Sequence, residues 1–162
     1  MWGLDLTLLA FIGVTFVVAM SGAVFKPGDW YESLDRPDWR PPNWAFPIVW
    51  TILYAMMAVA AWLVWHAAGG LAGAPLAFGL FALQLLFNGA WSWLFFGLKR
   101  PDLALIDTAL MWLAILANAL AFHAIRPEAG WLLAPYLLWV TIAFALNLSI
   151  LRRNPQYSGG RA

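Results

Sequence analysis

Residues 45–66 form the uninterrupted apolar stretch AFPIVWTILYAMMAVAAWLVWH, which contains no acidic residue, lysine or arginine. At about 1.5 Å per residue, an α-helix of this length spans about 30 Å, the thickness of the hydrocarbon core of a bilayer. Similar stretches lie near residues 4–25, 75–98, 103–125 and 131–151. Asp107 is the one charged side chain inside them that is not at an end. The pattern predicts an all-α membrane protein with five transmembrane helices in a bundle.

The composition supports a membrane protein of one domain covering residues 1–162. Hydrophobic residues make up 64% of the chain, charged residues 10%, and the mean hydropathy is +0.75. A net charge of +1 provides no basic surface for nucleic acid, and the absence of cysteine excludes disulfides and thiolate metal sites. No basic residue precedes Lys26, so we expect the first apolar stretch to be a retained helix and not a cleaved signal.

The basic residues predict the orientation of the bundle. One side of the membrane receives Lys26, Arg36, Arg40, Lys99, Arg100, Arg152, Arg153 and Arg161, whereas the other receives Arg126. The positive-inside rule then places the N-terminus outside and both loop 26–44 and the C-terminus in the cytoplasm. Short connections between the later stretches predict that successive helices are antiparallel neighbours.

Loop 26–44, KPGDWYESLDRPDWRPPNW, contains three tryptophans and four prolines. The prolines restrict the backbone, and the aromatic rings supply large contact surfaces. The composition predicts a structured lid over one end of the bundle and not a flexible tether. The alternative for Trp30 and Trp39 is an aromatic belt at the level of the lipid headgroups.

Polar and aromatic residues recur at helical spacing in three of the stretches. Gln84, Asn88 and Ser92 are four residues apart, as are Trp139, Ala143 and Asn147, and Trp50, Tyr54 and Ala58. A polar stripe facing lipid is costly, so these faces should meet inside the bundle. Two interpretations remain: polar side chains that link helices, or a mostly apolar site for a flat ring system, which the tryptophan content favours.

The remaining titratable residues indicate no conventional catalytic constellation. We expect Asp107 to be solvated or paired with an asparagine. His66 and His123 end their stretches on the same side of the membrane, where two imidazoles are capable of binding a haem iron, but interfacial histidines are commoner. We expect no acid beside either histidine, so a Ser/His/Asp assembly is not expected, and no metal site is predicted.

One ordered series of motifs resembles the TspO/translocator (peripheral benzodiazepine receptor) family. The series covers nearly the whole chain and consists of Trp30-Tyr31, Arg36-Pro37, Trp39, Pro41-Pro42, Trp44, Phe46, Trp50-Thr51, Leu53-Tyr54, Gln84 to Asn88, Trp91-Ser92, Phe95-Phe96-Gly97, Pro135-Tyr136-Leu137, Trp139, Leu146-Asn147 and Asn154.

The resemblance implies a five-helix protein that binds porphyrins such as protoporphyrin IX, and isoquinoline or benzodiazepine drugs, beneath the first loop. It implies a membrane sensor or carrier without an obligatory cofactor, in which light and oxygen degrade the bound porphyrin. Trp50 and Trp139 would flank the porphyrin and take part in that photochemistry. The ligand-binding residues expected from spacing and resemblance together are Trp30, Trp39, Trp44, Trp50, Tyr54, Gln84, Asn88, Trp91, Tyr136, Trp139, Ala143 and Asn147.

Other expectations concern partners. The resemblance implies a homodimer, in contact with membrane lipid. The sterol-binding segment described for the family corresponds here to residues 146–152, which contain no tyrosine, so cholesterol binding is not expected. A sterol or lipid transporter and a stress-response scaffold that uses the aromatic loop are the alternative functions.

Overall fold

The computed structural model describes residues 5–159, and no strand occurs in that part of the chain. Its helices are α1 (Leu6–Val24), α2 (Asp29–Glu32), α3 (Ala45–Ala68), α4 (Pro75–Ser92), α5 (Pro101–Ile125), α6 (Pro127–Leu132) and α7 (Ala134–Arg153). A π-helical turn over Trp93–Gly97 extends α4. Five segments are long and apolar enough to cross a membrane, and α6 with α7 forms the fifth. The predicted all-α membrane fold is confirmed.

The helix boundaries follow from local chemistry. Proline occupies the first turn of α4, α5 and α6, where its missing N–H has no intrahelical partner to lose. Gly69 ends α3 with φ of 75°, a left-handed conformation that costs a glycine little. The last membrane segment begins at Pro127, four residues before the predicted start at 131, and is interrupted at Leu133 between α6 and α7.

One predicted neighbour pair, α3 and α4, is joined by side chains but shows few close backbone contacts. The packing of α1 is close on both α3 and α4, whereas α3 and α4 approach each other along little of their length. The connection 69–74 explains the difference, because six residues reach roughly 20 Å and a helix is about 10 Å wide. A short turn therefore limits the separation of two helix ends without bringing the helix backbones close along their length. The remaining close pairs include α4 with α5, α5 with α7, and α6 with both α3 and α5.

A glycine sets the contact between α5 and α6. A Cβ added at Gly130 would lie 2.4 Å from Cβ of His123 and 2.8 Å from the carbonyl oxygen of Ala119. Both distances are shorter than van der Waals contact allows. Any larger residue at this position would separate α6 from α5 and displace the start of α7.

Loop 26–44 is structured, as its composition predicts. Asn154, at the end of α7, accepts a hydrogen bond from the backbone N–H of Asp35 at 3.1 Å and donates one to the Asp35 carbonyl at 2.9 Å. Leu34 is buried, and Trp30 packs edge-on against Phe95 at 5.8 Å between ring centroids. These contacts fix the loop against α4 and α7.

Asp5 joins the first helix to the end of α3. Its Oδ1 accepts hydrogen bonds from the N–H groups of Thr7 and Leu8, which caps α1. Its Oδ2 accepts a 2.6 Å bond from the indole of Trp62 and lies 3.1 Å from Nε2 of His66. The expectation that no acid lies beside a histidine was therefore wrong, because residues 61 positions apart in sequence meet at the same membrane surface.

We predict that Asp5→Asn lowers the melting temperature of the detergent-solubilised protein. The Trp62 indole, followed by the backbone N–H groups, holds the pKa of the Asp5 carboxyl below its ordinary value. Its stabilising contribution is therefore complete above about pH 4 and is lost as the pH falls through the folded-state pKa. Thermal unfolding followed from pH 7 to pH 3 should show the wild type converging on Asp5→Asn below about pH 4.

The matched control is Asp38→Asn, an exposed loop carboxylate for which the structure records no side-chain hydrogen bond. It should melt like the wild type throughout. A constant difference between wild type and Asp5→Asn down to pH 3 would contradict the proposed role of the carboxylate charge.

Candidate ligand-binding cavity

A cavity of about 500 Å³ lies within the bundle between the loop and the middle of the helices. Its walls come from α1, α3, α4, α5 and α7, and three residues of loop 26–44, Pro27, Tyr31 and Asn43, line it at what we call the loop end. The volume falls in the range of small-molecule sites, about 300–1,000 Å³. The bundle therefore contains an internal space large enough for an organic ligand.

Seven of the predicted site residues line this cavity: Trp50, Tyr54, Asn88, Trp91, Trp139, Ala143 and Asn147. Trp50 stacks on Tyr54 with ring centroids 5.4 Å apart and an angle of 29° between the planes. Trp139 meets the ring of Phe46 edge-on at 5.6 Å. Indoles from α3 and α7 thus contribute to the wall of one cavity, and neighbouring rings hold them in place.

At the cavity wall and behind it, polar side chains from α3, α4 and α7 form hydrogen bonds with one another. The Tyr54 hydroxyl donates to Oδ1 of Asn88 at 2.6 Å, and Nδ2 of Asn88 donates to the Tyr136 hydroxyl at 2.7 Å. That hydroxyl donates to Oε1 of Gln84 at 2.8 Å. Gln84 and Tyr136 are buried behind the wall and do not line the cavity. The predicted polar stripe of α4 faces the interior, and its members link helices as well as bordering the site.

Asn147 has a structural partner besides its place in the cavity wall. In the amide orientation that suits its neighbours, its nitrogen donates to the Pro101 carbonyl at 3.0 Å and its oxygen accepts from the Leu105 N–H at 3.1 Å. These bonds attach α7 to the first turn of α5. Asn147 therefore positions a helix, which was the alternative interpretation of the polar residues.

Three predicted lid residues lie elsewhere. Trp39 and Trp44 are 54% and 68% exposed, and Trp30 packs between Phe95 and Tyr157 without lining the cavity. The expectation that these indoles close the cavity is corrected. The exposed positions of Trp39 and Trp44 suit an aromatic belt at the headgroup level, because an indole is stable where one edge meets lipid and the other meets water.

Sequence reasoning missed several residues that line the cavity. One wall consists of small residues of α1, namely Ala19, Gly22 and Ala23. Their i, i+3 and i+4 spacing places them on one face of the helix and could have indicated a face that leaves room for a ligand or a large side chain. The side chains of Tyr31 and Asn43 reach the cavity from the loop. No period identifies loop residues, since their direction depends on the turn that carries them.

The residues that line the cavity, within the described part of the chain, include no aspartate, glutamate, lysine, arginine or histidine. Asp107 is 6% exposed and lies behind the wall next to Thr108, and its Oδ2 has no hydrogen-bond partner within residues 5–159. The expectation of a solvated or asparagine-paired Asp107 was therefore wrong. His66 contacts Asp5, and His123 contacts the Pro127 carbonyl, so the two imidazoles have different partners.

Two ion pairs at the loop end lie outside the cavity. Nη2 of Arg36 donates to Oε2 of Glu32 at 2.8 Å, and this bond holds the pKa of the Glu32 carboxyl below its ordinary value. The Arg36 guanidinium carbon lies 4.8 Å from the centre of the Tyr31 ring. Arg153 pairs with Asp35 at 3.3 Å. The site thus combines an uncharged interior with a charged loop.

Fold and site together define a class: a five-helix integral membrane protein with an internal aromatic cavity beneath a structured loop. Residues 7–153 match the model of the TspO/MBR family, and the chain belongs to that family.

Relatives with similar sequences extend from bacteria to mammals. The chain is 44% identical over 153 residues to the tryptophan-rich sensory protein of Cereibacter sphaeroides, covering 94% of this chain and 92% of the relative. It is 39% identical to protein CrtK of Rhodobacter capsulatus, covering 94% and 96%. Identity to the human translocator protein is 38% over 144 residues, covering 86% and 85%.

We predict that Tyr136→Phe destabilises the protein by about 1–3 kcal/mol, because it leaves buried groups of Asn88 and Gln84 without their partner. The free energy of unfolding in mixed detergent and denaturant is the measurement. Tyr157→Phe is the control, since its ring packs on Trp30 but its hydroxyl makes no side-chain hydrogen bond in the described chain. Equal stability of the two variants would contradict the importance of the buried network.

Proposed function

We propose that this chain binds a tetrapyrrole such as protoporphyrin IX in the cavity and acts as a membrane sensor or carrier for it. The observation that carries the proposal is the pair of indoles, Trp50 and Trp139, on two helices that border one uncharged aromatic cavity of about 500 Å³. Flat conjugated rings gain most from rigid aromatic walls, which offer stacking and edge contacts without loss of side-chain freedom. Membership of the TspO/MBR family supports the same ligand class.

Binding alone is sufficient for sensing or carriage, and a photochemical reaction is the further part of the proposal. A porphyrin excited by light transfers energy or an electron to dioxygen, and a nearby indole is oxidised by donating an electron to the porphyrin or to the reactive oxygen that forms. The protein would supply orientation and an oxidisable side chain, while the ligand supplies the reactive state. No resident cofactor is needed for this role.

We predict that Trp139→Phe retains saturable porphyrin binding, with slower loss of the Soret band under illumination in air. The phenyl ring preserves most of the apolar wall but is harder to oxidise than an indole. Quenching of tryptophan fluorescence in the dark measures binding, and absorbance under light measures degradation, for the wild type, Trp50→Phe, Trp139→Phe and the double variant.

Trp131→Phe is the matched control, because this indole is 70% exposed and does not line the cavity. It should behave like the wild type in both assays. Light-dependent loss that is unchanged in the double variant would remove the photochemical part of the proposal and leave a sensor or carrier. The absence of saturable quenching in the wild type would overturn porphyrin binding itself.

We also predict that Ala143→Leu weakens porphyrin binding at least several-fold, because the larger side chain fills part of the cavity next to Asn147 and Trp139. Ala145→Leu, on the exposed side of the same helix, should bind as the wild type does. Affinity from the dark titration is the measurement. Equal weakening in both variants would indicate a general effect on α7 and not occupancy of the cavity.

Transport of a lipid or sterol is the second candidate. An outward groove of about 200 Å³ lies between α3 and α7, lined among others by Ile52, Leu138 and Trp139. Trp139 is common to this groove and the internal cavity. Residues Leu146 and Ile150 of the family's sterol segment are buried here, which argues against that segment as a lipid-facing site. Sterol that displaces bound porphyrin in the dark would favour this candidate.

The remaining features are also proposals. The positive-inside rule places the loop and the C-terminus in the cytoplasm. Isoquinoline and benzodiazepine drugs are weakly polar aromatic molecules, which suits the uncharged aromatic walls. We expect the protein to form a homodimer in the membrane. A stress-response scaffold would use the exposed indoles of Trp39 and Trp44, which offer a surface to a partner at the membrane boundary.

A further inference from the structure

The walls of the cavity provide no charged partner for an acid, and the neutral indole N–H of Trp139, which is buried without an acceptor within residues 5–159, is a weaker one. Among the described residues that line it, none is charged, and the Asn88 amide is engaged with the hydroxyls of Tyr54 and Tyr136. Moving a carboxylate from water into such a space without a partner is strongly unfavourable. A ligand that is apolar in its body but acidic at one edge must therefore keep its acid at the boundary of the cavity.

Loop 26–44 carries a cation at that boundary. The guanidinium of Arg36 lies over the ring of Tyr31, and Tyr31 lines the loop end of the cavity. The side chain of Arg36 is only 12% exposed, so one aromatic ring separates a nearly buried positive charge from the ligand space. Arginine stacked in this way is held in one orientation.

The hydrogen bonds of Arg36 are incomplete. Its Nη2 donates to the Glu32 carboxylate at 2.8 Å and lies 3.5 Å from the Glu32 carbonyl, whereas its Nη1 is buried and has no acceptor within residues 5–159. Glu32 is 55% exposed, so water screens its ion pair with Arg36. A buried guanidinium nitrogen without an acceptor is costly, and an oxyanion is the partner that its geometry suits best.

We propose that Arg36 is the anion anchor of the cavity: it binds a carboxylate at one edge of a flat apolar ligand whose ring system lies among the indoles. The ligand class is an amphiphilic acid, with the acid held at the loop end and the ring inside. This inference rests on the proposed function and adds the orientation of the ligand and the residue that selects it. Arg36 does not itself line the cavity, so the carboxylate reaches the vacant Nη1 past the edge of the Tyr31 ring and competes there with Glu32 for the guanidinium.

The test compares protoporphyrin IX with its dimethyl ester, which has the same ring and no negative charge. Both are titrated in the dark into the full-length protein in detergent, by quenching of tryptophan fluorescence. We expect the wild type to bind the diacid about tenfold more tightly than the diester, as one charge-assisted hydrogen bond implies. In Arg36→Gln this preference should disappear while the affinity for the diester is unchanged.

Two further variants sharpen the comparison. Arg36→Lys should keep part of the preference for the diacid, because lysine keeps the positive charge but cannot form the bidentate hydrogen bonds of a guanidinium. Arg153→Gln is the matched control: it removes an arginine that also pairs with a loop carboxylate, Asp35, but does not adjoin a cavity residue in the recorded contacts. It should retain the full preference for the diacid.

The outcomes separate the two proposals. Equal affinity of the wild type for diacid and diester overturns the anchor and leaves porphyrin binding intact. Equal weakening of both ligands in Arg36→Gln assigns Arg36 a structural role in the loop and also overturns the anchor. The absence of saturable binding of either ligand by the wild type overturns both the anchor and the proposed function.

A lipid headgroup is the other possible source of an oxyanion at this depth. Repeating the diacid titration in nanodiscs of phosphatidylcholine with and without phosphatidylglycerol distinguishes the sources. The anchor predicts the same ratio of diacid to diester affinity in both membranes. A ratio that vanishes when phosphatidylglycerol is added, in the wild type and in Arg153→Gln alike, while it persists in phosphatidylcholine alone, would assign Arg36 to lipid phosphate and overturn the ligand anchor.

Discussion

A bilayer offers no water to a buried polar side chain, and the arrangement of this bundle depends on how that constraint is met. The hydroxyl of Tyr136 connects α7 to α4 through Asn88 and Gln84, and Asn88 connects α4 to α3 through Tyr54. In lipid, the alternative to each bond is an unsatisfied group. Three helices are thereby held at fixed separations, and the cavity occupies the space that remains above the network.

The aromatic walls depend on the same network. Trp50 stacks on Tyr54 and meets Tyr136 edge-on at 6.0 Å, so the two residues that hold the hydrogen bonds also orient an indole. The ring can contribute to a binding surface because it is not free to rotate. Rigid indoles, an uncharged interior and an arginine at the boundary are the features from which we propose a ligand that is flat, apolar in its centre and acidic at its edge.

The first helix, α1, lines the cavity but buries little of its own surface. Thr15 is its one buried residue, although α1 supplies the small residues of one wall. Asp5 attaches the N-terminal end of α1 to Trp62 and His66 of α3. Asn154 attaches the loop that follows α1 to the end of α7. Because α1 has the least buried surface of the helices that line the cavity, its displacement should cost the least free energy. Entry or release of a ligand would therefore move α1 before it disrupted the hydrogen-bond network of α3, α4 and α7.

The sequence by itself determined the membrane class, the five spans, the inward polar stripe of α4 and much of the cavity wall, because the length of an apolar stretch and the period of a helix are local properties. Residues such as Trp50, Asn88 and Ala143 follow from that period. The tertiary structure decided what depends on distant contacts: α1 packs on both α3 and α4, Asp5 reaches His66, Tyr31 lines the cavity in place of Trp30, and Oδ2 of Asp107 is buried without a hydrogen-bond partner within residues 5–159. The periodicity of the sequence does not predict these contacts, because the backbone conformation of a loop sets the direction of its side chains. A short connection restricts only the distance between two helix ends.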